Sequence, residues 1–130
     1  MTAPSLLVVE DDPTNLKLLL LFLSSLFPDA SVTGVSDGED AVSLARRKRF
    51  DLVLMDCMLP GISGFAATSA IREEGSACQR VPIVAITAGL DGDEEERCER
   101  AGIDELVTKP YTLDVLKLVV SRWLQQDRPI

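Results

Sequence analysis

Short strand-like runs alternate with longer segments of helical period along this chain, and that alternation limits the possible folds more than any other feature. The runs predict strands at Leu6 to Val9, Ser31 to Val35, Leu52 to Met55, Val81 to Ile86 and Glu105 to Thr108. The segments between and after them predict helices from Pro13 to about Phe27, Gly38 to Lys48, Phe65 to Glu74, Asp91 to Gly102, and Thr112 through Trp123 and Leu124. Five such units in sequence predict an α/β fold, the flavodoxin-like doubly wound (βα)5 class, with a five-stranded parallel sheet in the order 2-1-3-4-5.

Capping residues support these helix boundaries. Asp12 lies at the N-cap position of the first helix with Pro13 at its first helical position, and Asp37 and Thr112 are placed to cap the second and last helices. With 130 residues the chain fits one domain of common size, and we expect a single domain with a core of about 5–126. We expect order to be poor before and after that core.

Charge and apolar content exclude several functional classes. The formal net charge is −8, which gives a nucleic-acid partner no electrostatic basis, and the basic run from Arg46 to Arg49 is interpreted as the solvated end of a helix. The apolar run Leu18 to Leu23 is far shorter than the roughly 20 residues of a membrane span, and the first residues do not resemble a secretory signal. These features predict a soluble, cytoplasmic protein with no membrane partner.

The chain has no histidine and three cysteines. The missing histidine excludes Ser-His-Asp or Cys-His catalysis and a histidine-ligated zinc site within this sequence. It also means that any chemistry that requires a histidine must be provided by another domain or protein. Cys57, Cys78 and Cys98 have no metal-type spacing, and we interpret them as unpaired thiols.

Acidic, hydroxyl and amine groups follow successive predicted strands. They are Glu10, Asp11 and Asp12 after the first strand, Asp56 after the third, Thr87 at the end of the fourth, and Lys109 with Pro110 after the fifth. In a doubly wound sheet the carboxyl ends of the strands meet at one edge, and ligands bind where the strand order reverses. Asp12 is interpreted as a helix cap, and the others are expected to form a site.

The chemistry of this group points to phosphoryl transfer. Carboxylates placed together repel each other unless a cation joins them, and hard oxygen ligands with open positions suit Mg²⁺. A carboxylate beside Mg²⁺ is a credible nucleophile toward phosphorus. Lys109 and Thr87 then provide an ammonium and a hydroxyl for the phosphoryl oxygens, and positioning and charge neutralisation are most of what such a transfer needs.

With these residues assembled, the sequence resembles the receiver domains of two-component response regulators over roughly residues 5 to 126. The matching segments are V-E-D-D-P-T-N (Val9 to Asn15), L-V-L-M-D-C-M-L-P-G (Leu52 to Gly61), I-T-A (Ile86 to Ala88), A-G-I-D-E (Ala101 to Glu105) and T-K-P-Y (Thr108 to Tyr111). The start V-E-D-D-P-T-N-L and Leu106 are more similar to receivers of hybrid sensor kinases and phosphorelays than to those of transcription regulators.

The resemblance implies a role for each site residue. Asp56 would be the phosphoacceptor, and Thr87 and Lys109 would bind phosphoryl oxygens. Mg²⁺ would be held by Asp11, by Asp56, by Glu10 directly or through water, and by the backbone carbonyl of Met58. The family usually has a cis peptide at the position of Lys109-Pro110. The protein would be a signalling phosphoacceptor rather than an enzyme, catalysing only its own phosphorylation and slow dephosphorylation.

The resemblance also implies partners. The phosphoryl donor would be a histidine kinase or a histidine-phosphotransfer protein, docking near the first helix (Leu16 to Phe27), whose leucines make it apolar on more than one face. A broad core face with a few surface leucines is an equally good interpretation of that pattern. A monomer or weak dimer is expected. Whether the chain stands alone or belongs to a larger protein is left open.

The sequence departs from the family pattern in one respect that affects signalling. Leu106 stands where receivers often have Tyr or Phe, so an aromatic rotamer switch cannot operate in its usual form. Met58 and Gly89 stand where side chains tune the phosphoryl lifetime, and neither can orient attacking water. Slow self-dephosphorylation is therefore expected.

Three other interpretations of the sequence are a phosphatase, an electron carrier and a degenerate receiver. A phosphatase of the haloacid-dehalogenase type needs a second Asp two residues after the first, where this chain has Met58. A flavodoxin-like electron carrier needs a phosphate-cradling loop after the first strand, where E-D-D-P would repel phosphate. A degenerate receiver, acting as a phosphorylation-independent interaction module, would lack part of the acidic, hydroxyl and amine set.

Overall fold

The computed structural model describes residues 3–88 and 93–125, and in these ranges strands and helices alternate from beginning to end. The strands are β1 (Ser5–Val9), β2 (Ser31–Val35), β3 (Leu52–Asp56), β4 (Ile83–Thr87) and β5 (Glu105–Thr108). The helices are α1 (Pro13–Leu26), α2 (Gly38–Arg47), α3 (Gly64–Ile71), α4 (Glu94–Ala101) and α5 (Leu113–Gln125). None of the helices in the described part is long and apolar enough to cross a lipid bilayer.

All strands pair in parallel, in the order β2-β1-β3-β4-β5, which confirms the predicted fold class. Strand order reverses between β1 and its two neighbours, so the crevice beyond the carboxyl ends of β1 and β3 is the expected ligand position. The register pairs Val9 with Met55 and Asp56 with Ile86. The residues that follow β1 and end β3 therefore lie side by side.

Each face of the sheet carries its own apolar core, because successive strand residues point to opposite faces. Leu7 and Val9 of β1 belong to the cluster that includes Ala41 of α2 and Ile71 of α3. The intervening strand residues pack against α1 and α5 in a second cluster, which contains Leu6, Val8, Leu19, Leu23, Leu116 and Val120. The central strands β1, β3 and β4 are thus buried between two helical layers, and their carboxyl ends are the expected place for a ligand.

A third, smaller cluster lies on the α4 side, near the carboxyl end of β3. Its buried members are Cys57, Phe65, Ala85, Cys98 and Ala101, with Ile103 and Leu106 packed against it. Leu106 is only partly buried. The aliphatic side chain that replaces the usual aromatic residue is therefore part of a packed contact between β5, α4 and the residue that follows Asp56.

Two predicted boundaries were wrong by two or three residues. Helix α3 ends at Ile71 rather than Glu74, and a turn follows in which Gly75 takes φ = +89°. The Arg72 guanidinium donates to the carbonyls of Val81 (2.5 Å) and Gly102 (2.7 Å), which fixes the chain where the helix stops. Strand β4 begins at Ile83 rather than Val81, because Pro82 has no N–H for the ladder.

The predicted caps of three helices are confirmed. Asp12 accepts hydrogen bonds from the N–H groups of Thr14 and Asn15, Asp37 accepts from Asp40, and Thr112 Oγ1 accepts from Val115. The predicted start of the fourth helix at Asp91 lies outside the described residues, and α4 is seen from Glu94. Trp123 packs against the α1/α5 core and donates its indole N–H to Glu105 at 2.6 Å.

Candidate functional site

Three carboxylates meet at the carboxyl ends of β1 and β3. Glu10 and Asp56 are buried, with 2% and 6% of their surfaces exposed, whereas Asp11 is exposed. Each offers an oxygen within 4.8 Å of the others. The predicted metal ligands Glu10, Asp11 and Asp56 are thus brought together, in a set of hard oxygen donors with one side open to solvent, which fits a divalent cation.

Lys109 provides a positive charge inside this acidic group. Its Nζ lies 3.1 Å from Glu10 Oε1 and 3.7 Å from Asp56 Oδ2, so its hydrogen bond in this state goes to Glu10. Burial of the ammonium lowers the pKa of Lys109, but the Glu10 hydrogen bond and the Asp56 and Glu10 charges outweigh burial and raise the pKa above its usual value. Lys109 is therefore a firmly charged group that bridges β5 to β1 and β3.

The backbone after β3 holds the Asp56 carboxylate in place. The Met58 N–H donates to Asp56 Oδ1 at 2.9 Å, so Oδ1 is oriented while Oδ2 faces Lys109. The Cys57 N–H donates to the Ile86 carbonyl at 3.1 Å, and the Cys57 carbonyl accepts from Gly64 at 3.1 Å. Both ends of the residue after Asp56 are thus fixed, by β4 on one side and by the start of α3 on the other.

Asp12 is not part of the carboxylate group. Its carboxylate caps α1, while its N–H donates to Glu10 Oε2 at 3.2 Å. Glu10 thereby receives hydrogen bonds on both oxygens, one from Lys109 and one from the Asp12 backbone. The interpretation of Asp12 as a helix cap is confirmed, and the structure adds a backbone contact that supports Glu10.

Thr87 and Lys109 lie beside each other at the ends of β4 and β5. Thr87 is 2% exposed, and its carbonyl accepts a hydrogen bond from the Lys109 N–H at 2.7 Å. The Lys109-Pro110 peptide is cis, as expected. The side chain of Met58 is 71% exposed at the rim of the site, and Gly89 lies outside the described residues.

A cleft of about 310 Å³ runs from this group to α1. It is lined by Glu10, Asn15, Leu18, Phe22, Lys109, Pro110 and Tyr111. Leu18 is 43% exposed. The charged site is therefore continuous with an apolar surface of the first helix, which sequence spacing did not reveal because it depends on how α1 is rotated about its axis.

The buried thiol beside the site gives a prediction about alkaline pH. Burial, followed by the charges of Cys98 and Asp56, raises the pKa of Cys57 from 9.0 to about 12. The unfolded chain then releases a proton above about pH 9 that the folded chain keeps, so stability falls between about pH 9 and 12, by about 1.4 kcal/mol per pH unit for one group. Cys98, Tyr111 and Lys109, whose pKa values are also raised, act in the same direction.

Urea denaturation in EDTA at pH 8 and pH 10 measures this effect. We expect the free energy of unfolding to fall by about 1–2 kcal/mol from the Cys57 thiol alone. Cys57→Ala should show a shallower fall over the same range. An equal fall in the variant would mean that Cys57 is not the group responsible.

Comparisons with known proteins agree with this architecture. The response regulator receiver domain family matches residues 6–121. The receiver domain of the sensor histidine kinase PA1611 from Pseudomonas aeruginosa PAO1 is 40% identical, with a TM-score of 0.85, over 95% of this chain and 99% of that chain. In its crystal structure a magnesium ion is coordinated in the active site cleft.

Longer proteins contain similar segments. Sensor protein GacS from Pseudomonas syringae pv. syringae is 39% identical over 93% of this chain, and sensor histidine kinase RcsC from Salmonella typhimurium is 35% identical over 95%. The chain spans only 13% and 12% of the length of these relatives. The match to the family extends over most of the chain, and its fold and the site at its strand ends agree with that match, so this chain belongs to the response regulator receiver domain family.

Proposed function

We propose that this chain is the phosphoacceptor of a two-component or phosphorelay system, which receives a phosphoryl group on Asp56 from the phosphohistidine of a partner. The observation that carries the proposal is the placement of Asp56. Its carboxylate is buried, lies within 4.8 Å of the Glu10 and Asp11 oxygens, and faces the Lys109 ammonium at 3.7 Å. Few structural roles require so much charge at one strand end.

Each residue of the site has a separate role in phosphoryl transfer. An Asp56 oxygen forms the new bond to phosphorus as the phosphorus–nitrogen bond to the donor imidazole breaks, and the electron pair of that bond stays on the imidazole. Lys109 and the Thr87 hydroxyl bind phosphoryl oxygens, and the Met58 N–H orients the attacking carboxylate. Glu10, Asp11, Asp56 and the Met58 carbonyl would hold Mg²⁺, which when bound neutralises charge on the phosphoryl oxygens.

Intact mass spectrometry after incubation with acetyl phosphate and Mg²⁺ tests the proposal. We expect one phosphoryl adduct per chain, since a small donor needs only the site and no partner surface. The adduct should be absent in EDTA and in Asp56→Asn, which keeps the shape of the side chain. An adduct on the Asn variant, or none on the unaltered chain, would favour a degenerate receiver that signals by binding alone.

The same proposal includes the domain organisation, cellular location and oligomeric state of the chain. Residues 1–130 act as one receiver domain in the cytoplasm, as a monomer or weak dimer, and catalyse only their own phosphorylation and slow dephosphorylation. The net charge of −8 supports a protein partner rather than nucleic acid. The similarity to segments of GacS and RcsC supports a histidine kinase or histidine-phosphotransfer protein as the donor.

The donor is proposed to dock on α1. Leu18 and Leu21 are 43% and 57% exposed although Leu19 and Leu23 on the same helix are buried. An apolar groove of about 420 Å³ is lined by Pro13, Leu16, Lys17, Leu20, Leu21 and Ser24. Because the cleft beside Leu18 leads to Lys109, a helix packed on this surface would lie next to the phosphoacceptor.

Leu21→Glu should slow phosphotransfer from a histidine-phosphotransfer domain about tenfold or more, because one apolar contact of about 1.5–3 kcal/mol is lost and a charge is buried. Phosphorylation by acetyl phosphate should be unchanged, since Leu21 does not line the cleft at Lys109. Leu118→Glu is the matched control, because Leu118 is 62% exposed on α5. Rates from the two donors that fall together would argue against docking on α1.

A further inference from the structure

Cys57 and Cys98 are neighbours in space although they are far apart in sequence. Cys57 directly follows Asp56, and Cys98 lies on the inner side of α4. Both belong to the small cluster on the α4 side, with 1% and 6% of their surfaces exposed. Each of the two thiols is among the groups that shift the pKa of the other, and both cysteines are reduced. Because both thiols lie in one small buried cluster, a disulfide between them would require the two sulfurs to approach to about 2 Å.

The third cysteine has a different environment. Cys78 belongs to the core on the α2 and α3 face. Its sulfur accepts a hydrogen bond from the Phe50 N–H at 3.3 Å, and its thiol lies 3.1 Å from the Lys48 carbonyl. Cys78 is thus engaged with the backbone away from the pair, and it serves as an internal control.

The two elements that carry the pair are anchored in different ways. The backbone of Cys57 is fixed by hydrogen bonds to Ile86 and Gly64. Helix α4 has only eight residues, and its N-cap residue Asp93 makes no side-chain capping hydrogen bond. On the same helix, the Arg97 guanidinium lies over the Phe65 ring at 4.2 Å, and Cys98 and Ala101 pack in the small cluster, so side-chain packing joins this helix to the rest of the fold. Closing a disulfide would therefore draw α4 toward β3 rather than distort the strand end.

We propose that Cys57 and Cys98 form an oxidation site, converted by a peroxide into an intramolecular disulfide that clamps α4 to the strand end carrying Asp56. The thiol of Cys98, the more exposed of the two, attacks a peroxide oxygen, becomes a sulfenic acid and releases water. The Cys57 sulfur then attacks the Cys98 sulfur, the sulfur–oxygen bond breaks, and a second water leaves. In total the two thiols lose two electrons and two protons, and one hydrogen peroxide is reduced to two waters.

Burial sets the rate of this reaction. Thiols in an apolar cluster react slowly until the covering element opens, so oxidation should proceed through local opening of α4. The proposal does not depend on phosphorylation, because neither sulfur is among the carboxylate, hydroxyl and ammonium groups assigned to the transfer. It concerns how firmly α4 is held, which is a separate property of the fold.

Peptide mapping of the full chain after treatment with hydrogen peroxide in EDTA tests the site. Free thiols are alkylated before digestion under non-reducing conditions. We expect a Cys57–Cys98 disulfide, reversed by dithiothreitol, with Cys78 alkylated. Cys78→Ala should still form the disulfide and Cys98→Ser should not. A chain that keeps all thiols reduced while folded, forms a bridge that includes Cys78, or cross-links only between molecules would overturn the proposal.

Hydrogen exchange of the α4 amides tests the clamp. In the oxidised chain, exchange over residues 94–101 should slow by about tenfold, because the closed loop disfavours local opening. The same peroxide treatment should leave exchange unchanged in Cys98→Ser. If the disulfide forms and α4 exchanges as fast as before, the clamp is refuted.

Discussion

Replacing Lys109 with Met is expected to destabilise the metal-free chain at neutral pH by about 2–3 kcal/mol. Among the ion pairs of the described residues, Lys109 is the cation within 4 Å of the buried carboxylates. Its Nζ lies 3.1 Å from Glu10 Oε1 and 3.7 Å from Asp56 Oδ2. Removing one partner of a buried charged group leaves the other charges uncompensated, which costs more than the pair itself contributes. Met keeps most of the length and apolar volume of the lysine stem, so the change isolates the charge.

Mg²⁺ should reverse this loss. A cation bound by Glu10, Asp11 and Asp56 replaces the missing charge, and a ligand that binds only the folded chain adds about 2.7 kcal/mol when its concentration is 100 times its Kd. Urea denaturation with and without Mg²⁺ measures both effects, and the stabilisation by Mg²⁺ should be larger in Lys109→Met than in the unaltered chain. Lys117→Met, an exposed lysine on α5, is the matched control. Equal destabilisation by the two variants would show that Lys109 does not compensate the negative charges of Glu10 and Asp56.

Much of the fold and the membership of the site were predictable, because both follow from residues at strand ends. Glu10, Asp56 and Lys109 each come directly after, or at the end of, a recognisable strand, and parallel strands bring their carboxyl ends to one edge. The same rule identified the oxygen donors that lie within 4.8 Å of each other. Topology alone was sufficient here, since it fixes which strand ends are neighbours.

Contacts between distant residues were not predictable from the sequence. The hydrogen bond of Lys109 to Glu10 rather than Asp56 depends on side-chain distances that differ by 0.6 Å. The placement of Cys57 and Cys98 in one buried cluster depends on how α4 packs on the sheet. Helix α3 ends early because Arg72 donates hydrogen bonds to the carbonyls of Val81 and Gly102. No local sequence pattern predicts these contacts. Local propensity gives the elements, whereas packing decides where they end and what they touch.

The loop after Asp56 requires a glycine at position 64, because a side chain there would overlap the backbone. A Cβ at Gly64 would lie 2.2 Å from the Asp56 carbonyl oxygen and 2.8 Å from Cys57 Cα, so it would overlap backbone on both contacts. The spacing of Gly61 and Gly64 was visible in the sequence, but their tasks differ: Gly61 has φ = +73°, whereas Gly64 permits a close approach of α3 to β3. This approach brings the N–H of Gly64 to the Cys57 carbonyl at 3.1 Å.

Gly64→Ala is therefore expected to cost about 3 kcal/mol of stability and to weaken Mg²⁺ binding about tenfold or more. Strand β3 is held by hydrogen bonds on both sides, so the start of α3 must move away, and it displaces the loop that contains Met58. Urea denaturation in EDTA measures the first effect, and calorimetric titration of the folded variant with Mg²⁺ measures the second.

Gly75→Ala separates this clash from the general cost of replacing a glycine. Gly75 has φ = +89°, and a Cβ placed there would meet no heavy atom of the described residues within 4 Å beyond its own chain neighbours. Alanine at this position should therefore cost only about 1–2 kcal/mol of backbone strain and leave Mg²⁺ binding unchanged. If Gly64→Ala costs no more than Gly75→Ala and binds Mg²⁺ normally, α3 can retreat without moving the loop. The position of Asp56 would then be set by the sheet alone, and the contact at Gly64 would have no part in shaping the site.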